Sequence, residues 1–304
     1  MSMRALLFGL LFVLFWSSAF TSGKFIVADA PAMTALAIRF YVSGAIAIAL
    51  AFWMGERFAL TRAQALAVLI FGICQNALYL GTNFVAFKTV DASIAVVIAS
   101  LLPVVVGIAS WLFLRERLAP LGIAGLVIGL VGAAIVLSAR LGSGADGVGI
   151  LLCIAGLLAL TVATLMVRTL AASGKVLMMI GLQMIVGAVA LTPFAVAFET
   201  WEVTWSTSMI LACIYTTLFP GLVATWIWFK LLGEIGATKA ATFHFLNPFF
   251  GVVVAWALLG EQVTRADLIG VAFIMIAILM VQMSKTGATE KQKIGASDGQ
   301  SRSS

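Results

Sequence analysis

Long apolar runs separated by short polar connectors recur along the whole chain, and they limit its fold more than any other feature. Each run has about twenty residues, the length that a helix needs to cross ~30 Å of hydrocarbon. The chain is 63% hydrophobic and 10% charged, whereas soluble domains are about half apolar and a quarter charged. The pattern predicts an all-α polytopic membrane protein with ten spans: Ala5–Ser22, Ala32–Met54, Ala65–Ala86, Ala92–Leu114, Leu121–Ala139, Val148–Thr169, Val176–Phe198, Met209–Leu231, Ala237–Leu259 and Ala266–Met283.

Basic residues in the connectors, at the span ends and in the tail fall unequally on the two sides of the membrane. Thirteen share the side of the N-terminus, and four, Lys24, Lys88, Arg140 and Arg265, lie on the other. Loops rich in Lys and Arg stay in the cytoplasm, so we expect both termini to be cytoplasmic in a bacterial-type inner membrane. The net charge of +6 therefore indicates membrane orientation and not nucleic-acid binding. The polar residues 284–304 are expected to form a disordered tail.

The two halves of the chain match each other. A shift of 145 residues superposes Pro103 on Pro248, Trp111 on Trp256, Glu116 on Glu261 and Gly125 on Gly270. This agreement predicts two five-helix repeats, residues 1–141 and 142–283. Five is an odd number, so the copies must cross the membrane in opposite directions and enclose a central cavity between them.

Three motifs carry a resemblance to a known family. LFWSSAF in the first span, PAMTALAIRF in the second, and the hairpin IASLLPVVVGIASWLFLRERLAPLGIAGLVIGL resemble the drug/metabolite transporter superfamily. Within it, the chain is similar to EamA-type ten-helix exporters, and more narrowly to the branch that exports aromatic amino acids. The resemblance implies a small-molecule substrate, alternating access, no cofactor, and a cavity bounded by the first, third, fourth, sixth, eighth and ninth helices.

Polar and aromatic side chains inside the spans are the candidates for a solute site, because polar groups are costly against lipid. Ser and Thr can instead bond to their own helix, and aromatic rings can simply pack. His244 is the only histidine, and its stripe with Asn247 has no counterpart in the first repeat. The candidate substrate-binding residues are Trp16, Ser17, Gln75, Tyr79, Asn83, Thr161, Thr164, Trp228, His244 and Asn247.

Five further residues are assigned structural roles. Arg39 lies about eight residues into the second span, or ~12 Å, and we expect a snorkelling or helix-pairing charge, with carboxylate binding as the alternative. Pro103 and Pro248 should kink the fourth and ninth helices, because proline removes a backbone hydrogen bond. Glu116 and Glu261 should cap the following helices or pair with basic neighbours.

What the sequence lacks narrows the function. None of its twelve acidic residues lies at a span centre, which disfavours proton-coupled export of cationic drugs and favours neutral or zwitterionic solutes. Serine-hydrolase, zinc-protease and nucleotide-binding motifs are missing, so we expect no enzyme and no metal site. A multidrug exporter of the same fold and a channel are the remaining alternatives, and proton coupling stays open. The fused repeat should act as a monomer in contact with membrane lipid.

Overall fold

The computed structural model describes residues 2–90, 92–115, 119–138, 146–171, 174–259 and 264–284, which are helical apart from short connectors and contain no strand. The all-helical fold class is thereby confirmed. In the first half the helices are α1 (Met3–Asp29), α2 (Ala32–Trp53), α3 (Arg62–Ala86), α4 (Ala92–Ser100 and Leu102–Leu114) and α5 (Pro120–Ser138).

The second half contains five corresponding helical stretches: α6 (Gly147–Ala171), α7 (Val176–Phe198), α8 (Thr207–Ile235), α9 (Ala237–Ala241, Thr242–Leu246 and Asn247–Leu259) and α10 (Arg265–Met283). Among the described residues, seven helices are long and apolar enough to cross a membrane. The apolar parts of α5 and α10 are shorter, and α9 is divided. A count of ten crossings therefore stays a prediction.

Helix bounds recur at the 145-residue spacing of the sequence repeat. Helix α3 begins at Arg62 and α8 at Thr207, and both contain a π-helical stretch, Gly72–Leu80 in α3 and Thr217–Val223 in α8. Pro220 accounts for the second stretch, because proline has no N–H for the α-helical bond. A widened turn at the same place in both halves indicates that the local geometry repeats along with the residues.

Helices α2 and α7 lie antiparallel along each other, and each supplies the residue that caps the other. The Glu199 carboxylate, just after α7, accepts hydrogen bonds from the backbone N–H groups of Met33 (2.9 Å) and Thr34 (2.8 Å) at the start of α2. The Glu56 carboxylate, just after α2, accepts one from Met178 N–H (2.8 Å) at the start of α7. Two equivalent helices with opposite directions are what inverted repeats require.

Glycines allow the antiparallel pairs to approach closely. A Cβ on Gly181 of α7 would lie 3.0 Å from the Gly44 carbonyl oxygen of α2. In the α5–α10 pair, a Cβ on Gly132 would lie 2.8 Å from the Gly270 carbonyl oxygen. Small residues at membrane-helix crossings permit such backbone contact. These two pairs leave α1, α3, α4, α6, α8 and α9 to contact one another.

Pro103 and Pro248 lie where the helical geometry of α4 and α9 changes. Each is the second residue of a helix that starts anew, Leu102–Leu114 and Asn247–Leu259, where a missing N–H costs no bond. Leu101 interrupts α4, and a 3₁₀ stretch, Thr242–Leu246, precedes the restart in α9. Both prolines thus stand at the start of an α-helical segment, and a kink at each of them stays a prediction.

Acidic residues next to the spans were predicted to cap helices, and the structure describes such a cap at Asp146. Glu116 and Glu261 lie outside the described residues. Asp146 stands just before α6, where its carboxylate accepts hydrogen bonds from the backbone N–H groups of Val148 and Gly149, both at 3.2 Å. The bond from Val148, with those from Thr89 and Gly149, holds the pKa of Asp146 below its ordinary value.

Candidate substrate cavity

The aromatic pair Trp16 and Tyr79 brings α1 against α3 at the centre of the helix bundle. Both side chains are buried, and their rings stack with centroids 6.0 Å apart and planes 7° from parallel. Tyr79 belongs to the π-helical stretch of α3, so the widened turn sets where its ring points. The predicted site residues of two separate spans therefore meet face to face.

A small cavity of about 30 Å³ opens beside this aromatic pair. A cavity of this volume has room for about two water molecules. Half of the residues in its wall are aromatic, and the wall also contains one amide and one guanidinium. It is lined by Trp16, Ala19, Phe20, Arg39, Tyr79, Leu80, Asn83, Phe84, Phe87 and Pro220. We call it the central cavity.

Asn83 lies where α3 contacts α6. Its amide nitrogen donates to the Tyr79 carbonyl oxygen at 2.8 Å, which leaves the amide oxygen without a protein hydrogen bond in the described part of the chain. A Cβ on Gly156 of α6 would come within 2.9 Å of the Asn83 amide nitrogen. Glycine at that position is therefore what allows the amide to sit between the helices.

Arg39 does not snorkel to the membrane surface. Its side chain is 7% exposed and borders the central cavity together with Trp16, Tyr79 and Asn83. The guanidinium carbon lies 4.8 Å from the ring centroid of Phe40 and 5.8 Å from that of Phe84. Its Nε has no hydrogen-bond partner among the residues that the structure describes. This position at the cavity was not predicted, because it depends on how α2 packs against α3.

A chain of hydrogen bonds joins the predicted residues of α1 and α9. The Ser17 hydroxyl donates to the Asn247 amide oxygen at 3.2 Å, and the Asn247 amide nitrogen lies 3.0 Å from His244 Nδ1. An amide nitrogen can only donate, so Nδ1 accepts, and a neutral imidazole then carries its proton on Nε2. The helix restart at Asn247 places both side chains on the face toward α1.

Aromatic rings surround the imidazole of His244 on several sides. Its ring meets Phe12, Trp16 and Trp228 in edge-on contacts, with centroids 5.2, 5.5 and 5.1 Å away. Phe12 in turn stacks on Trp228 at 4.6 Å. Both His244 Nε2 and Trp228 Nε1 are buried N–H positions, and neither has a hydrogen-bond partner in the described ranges of the chain. The predicted residues Trp228, His244, Asn247, Ser17 and Trp16 thus form one continuous cluster.

Three of the predicted site residues belong neither to the wall of the central cavity nor to the cluster around His244. Thr161 and Thr164 are buried, and their hydroxyls donate to the carbonyl oxygens of Leu157 (2.9 Å) and Leu160 (2.8 Å) in their own helix. Such back-bonding satisfies the hydroxyls without any ligand. Gln75 is also buried away from the cavity wall, although its amide oxygen has no partner.

Several polar contacts that connect helices were not predicted. Ser18 and Tyr215 share a hydrogen bond of 2.6 Å, and the Thr216 hydroxyl donates to Ser22 at 2.9 Å, so α1 is joined to α8. Asn76 donates to both the backbone and the side chain of Gln183, joining α3 to α7. The sequence shows these residues as polar groups within spans, but not which of them face each other.

An apolar groove of about 370 Å³ lies on the other side of Arg39, between α2, α8 and the segment before α8. We call it the lateral groove. Its lining includes Ile38, Arg39, Cys213 and Ile214, with Trp201 and Trp205 at the end near the start of α8. Arg39 therefore lines both the central cavity and the lateral groove.

Several known proteins with similar sequences are named as uncharacterized transporters. The chain is 24% identical to the uncharacterized transporter YvbV of Bacillus subtilis (strain 168) over 94% of this chain and 93% of the other. It is 21% identical to a chloroplastic WAT1-related protein of Arabidopsis thaliana, over 88% of this chain and 66% of that protein. A solved crystal structure covers 92% of this chain with a TM-score of 0.74 at 21% identity, which establishes a shared fold.

A family match covers nearly all of the chain. Residues 3–138 and residues 147–283 each match the EamA-like transporter family. The matched ranges are the five-helix halves described above, and the repeated apolar helices around a central cavity are consistent with a membrane transporter. This chain therefore belongs to the EamA-like transporter family.

Proposed function

We propose that this transporter exports small neutral or zwitterionic metabolites with apolar side chains, and that aromatic amino acids are its leading substrates. The observation that carries the proposal is the stacked Trp16–Tyr79 pair beside Asn83 at the central cavity. Aromatic walls hold an apolar ring by offset stacking, and an amide oxygen can accept a hydrogen bond from an ammonium group.

Transport by alternating access fits the size of the central cavity. A cavity of about 30 Å³ cannot hold an aromatic amino acid, so the helices around Trp16 and Tyr79 must separate before a substrate binds. A carrier needs only two conformations of similar energy for this, with no chemical step. The antiparallel α2–α7 and α5–α10 pairs are the units against which the central helices would move.

The same proposal places both termini in the cytoplasm of a bacterial-type inner membrane. It rests on the excess of Lys and Arg in the connectors on the side of the N-terminus. One chain contains both halves of the cavity, so a monomer is sufficient.

Counterflow in proteoliposomes tests the proposed substrate class. Purified protein is reconstituted, loaded with unlabelled phenylalanine, tryptophan, leucine or a cationic dye, and assayed for uptake of the labelled compound. We expect saturable uptake that is strongest for the aromatic amino acids. Strong exchange of the dye without exchange of any amino acid would reverse the ranking, and non-saturable flux would indicate a channel.

A further inference from the structure

Arg39 is a permanent charge held inside the protein. A guanidinium stays protonated in proteins, so burial cannot be relieved by loss of its proton. The side chain is 7% exposed, in the middle of a helix within an apolar bundle. A buried charge of this kind needs a compensating partner.

The contacts of Arg39 compensate its charge only in part. Phe40 and Phe84 present their ring faces to the guanidinium. A ring face attracts a cation but accepts no conventional hydrogen bond. In the part of the chain that the structure describes, Arg39 forms no ion pair, and its Nε has no acceptor. The rings cover faces of the guanidinium, whereas its N–H donors point outward in the guanidinium plane.

A purely structural arginine would be bonded differently. Charges that join membrane helices do so through carboxylates or backbone carbonyl oxygens of a neighbour. Neutral polar side chains of this bundle also bond to neighbouring helices, as Asn76 does to Gln183 and Ser18 to Tyr215. Arg39 instead faces open volume, because it borders both the central cavity and the lateral groove.

We infer that Arg39 binds the carboxylate of the transported solute, so that the transporter selects apolar molecules carrying a carboxylate over the corresponding amines and amides. The inference rests on the proposed function and narrows its substrate class. The guanidinium fork matches a carboxylate in two parallel hydrogen bonds. Among the residues that the structure describes, Arg39 is the one charged side chain that lines the central cavity, and a single positive charge suits a single negative charge better than a phosphate dianion.

The anion at Arg39 has two possible sources with the same chemistry. A solute carboxylate reaches the guanidinium from the central cavity, beside Trp16 and Tyr79. A lipid phosphate would have to approach through the lateral groove. The position of Arg39 beside the aromatic pair favours the solute, which would place its ring against Trp16 and its carboxylate on the arginine.

Binding to the full-length protein in phosphatidylcholine nanodiscs tests the inference. The probes are phenylalanine, phenylalaninamide, phenethylamine and 3-phenylpropionate, together with leucine and leucinamide as an aliphatic series. The variants are Arg39→Gln and Arg39→Lys. Arg4→Gln is the matched control, because Arg4 is exposed and also lies over a phenylalanine ring, that of Phe8 at 5.2 Å.

In the unmodified protein we expect each carboxylate to bind at least about tenfold more tightly than its amide or amine. Arg39→Gln should remove that difference and leave affinity for phenylalaninamide unchanged. Arg39→Lys should keep part of the carboxylate preference, because lysine retains the positive charge but lacks the bidentate geometry of the guanidinium. Arg4→Gln should keep the full preference.

Several results would overturn the inference. Equal affinity for phenylalanine and its amide in the unmodified protein would do so without any variant, even if Arg39→Gln fails to fold. Phenylalanine binding that falls about tenfold on addition of phosphatidylglycerol, with no preference over the amide, would assign Arg39 to a lipid headgroup. A carboxylate preference confined to the leucine series would support the role of Arg39 and contradict the aromatic substrate class. Absence of binding by every carboxylate would contradict both.

Discussion

At the scale of single residues, the cavity combines two kinds of surface. Trp16 and Tyr79 offer ring faces, whereas Asn83 and Arg39 offer polar groups on the same small volume. His244 lies behind Trp16, and its Nδ1 is already engaged by Asn247. Under the proposed function, Trp16 and Tyr79 would contact the solute directly, and the imidazole of His244 would hold Trp16 in position.

Removing the ring of Tyr79 should impair transport. Tyr79→Leu removes one partner of the stacked pair, and we expect kcat/KM for aromatic amino acids to fall up to about tenfold, since aromatic pairs contribute ~0.5–1.5 kcal/mol. Tyr79→Phe keeps the ring and should stay near the unmodified rate. Tyr41→Leu, on an exposed tyrosine of α2, is the control for general damage. Equal rates for the Leu and Phe variants at position 79 would contradict a stacking role.

Truncation of His244 should preserve downhill transport. The side chain does not line the central cavity, and its contacts are with buried rings and Asn247. His244→Ala should therefore reduce thermal stability through lost packing, while facilitated efflux down a gradient persists. Initial efflux rates from loaded proteoliposomes measure the effect, with Trp16→Ala as the comparison that should lose rate. Complete loss of transport in a normally inserted His244→Ala protein would show that the histidine is essential.

At the scale of helices, reciprocal capping fixes α2 against α7. Glu199 satisfies two N–H groups at the start of α2 and the Thr34 hydroxyl, so it acts as a capping residue supplied by another part of the chain. Negative charge at a helix N-terminus also interacts favourably with the helix dipole. The contact lies far from Trp16 in sequence and uses none of the proposed substrate groups.

Loss of this cap should cost stability and leave substrate preference intact. Glu199→Ala removes the acceptor, and we expect a loss of about 0.5–2 kcal/mol, the range measured for helix N-caps. Glu202→Ala is the control, since Glu202 is exposed in the same connector. The two variants are compared by thermal unfolding in detergent, which is monitored as the loss of monodisperse protein. Equal transition temperatures would show that the cap contributes nothing.

Most helix positions were predictable, because apolar length is visible in the residues themselves. Helix α7 covers the predicted range Val176–Phe198. Helix α1 continues to Asp29, beyond the predicted end at Ser22, because Lys24 interrupts the apolar run without interrupting the backbone. The π-helical stretch of α3 could not be predicted from the sequence, because it contains no proline to mark it.

The cavity itself was predictable only in part. Trp16, Tyr79 and Asn83 were recognised as polar or aromatic groups within spans, and they do meet. Thr161 and Thr164 have the same appearance in the sequence but bond within their own helix. Arg39 was assigned to structure because its distance from Tyr79 depends on the packing of separate helices, which residue spacing does not reveal.

At the scale of the whole molecule, the two halves depend on each other for their core contacts. The α2–α7 pair and the α5–α10 pair each contain one helix from each half. The hydrogen bond from Ser17 to Asn247 also joins the two halves. A half alone would expose the glycine-lined faces at Gly44 and Gly132. Each half should therefore be unstable by itself.

Co-expression of the halves should recover the transporter. We expect residues 1–141 and residues 142–304, produced as separate chains in one cell, to copurify and to transport, while either alone is degraded. Pulldown through a tag on one half, followed by counterflow, measures the recovery. A half carrying Gly181→Val should fail to pair, because a larger side chain there meets the α2 backbone. Stable accumulation of one half by itself would contradict the mutual dependence.

The exchange of caps between α2 and α7 has a consequence for how such a chain arises. Glu56 and Glu199 each cap the N-terminus of a helix in the other half. These caps form only when the two copies have opposite orientations in the membrane. An ancestral single copy would have needed to insert in both orientations to find its partner. Fusion of two copies into one polypeptide then replaces a bimolecular encounter by a tethered one, and leaves each copy free to acquire residues of its own, as FHFLNPFF has done with His244 and Asn247.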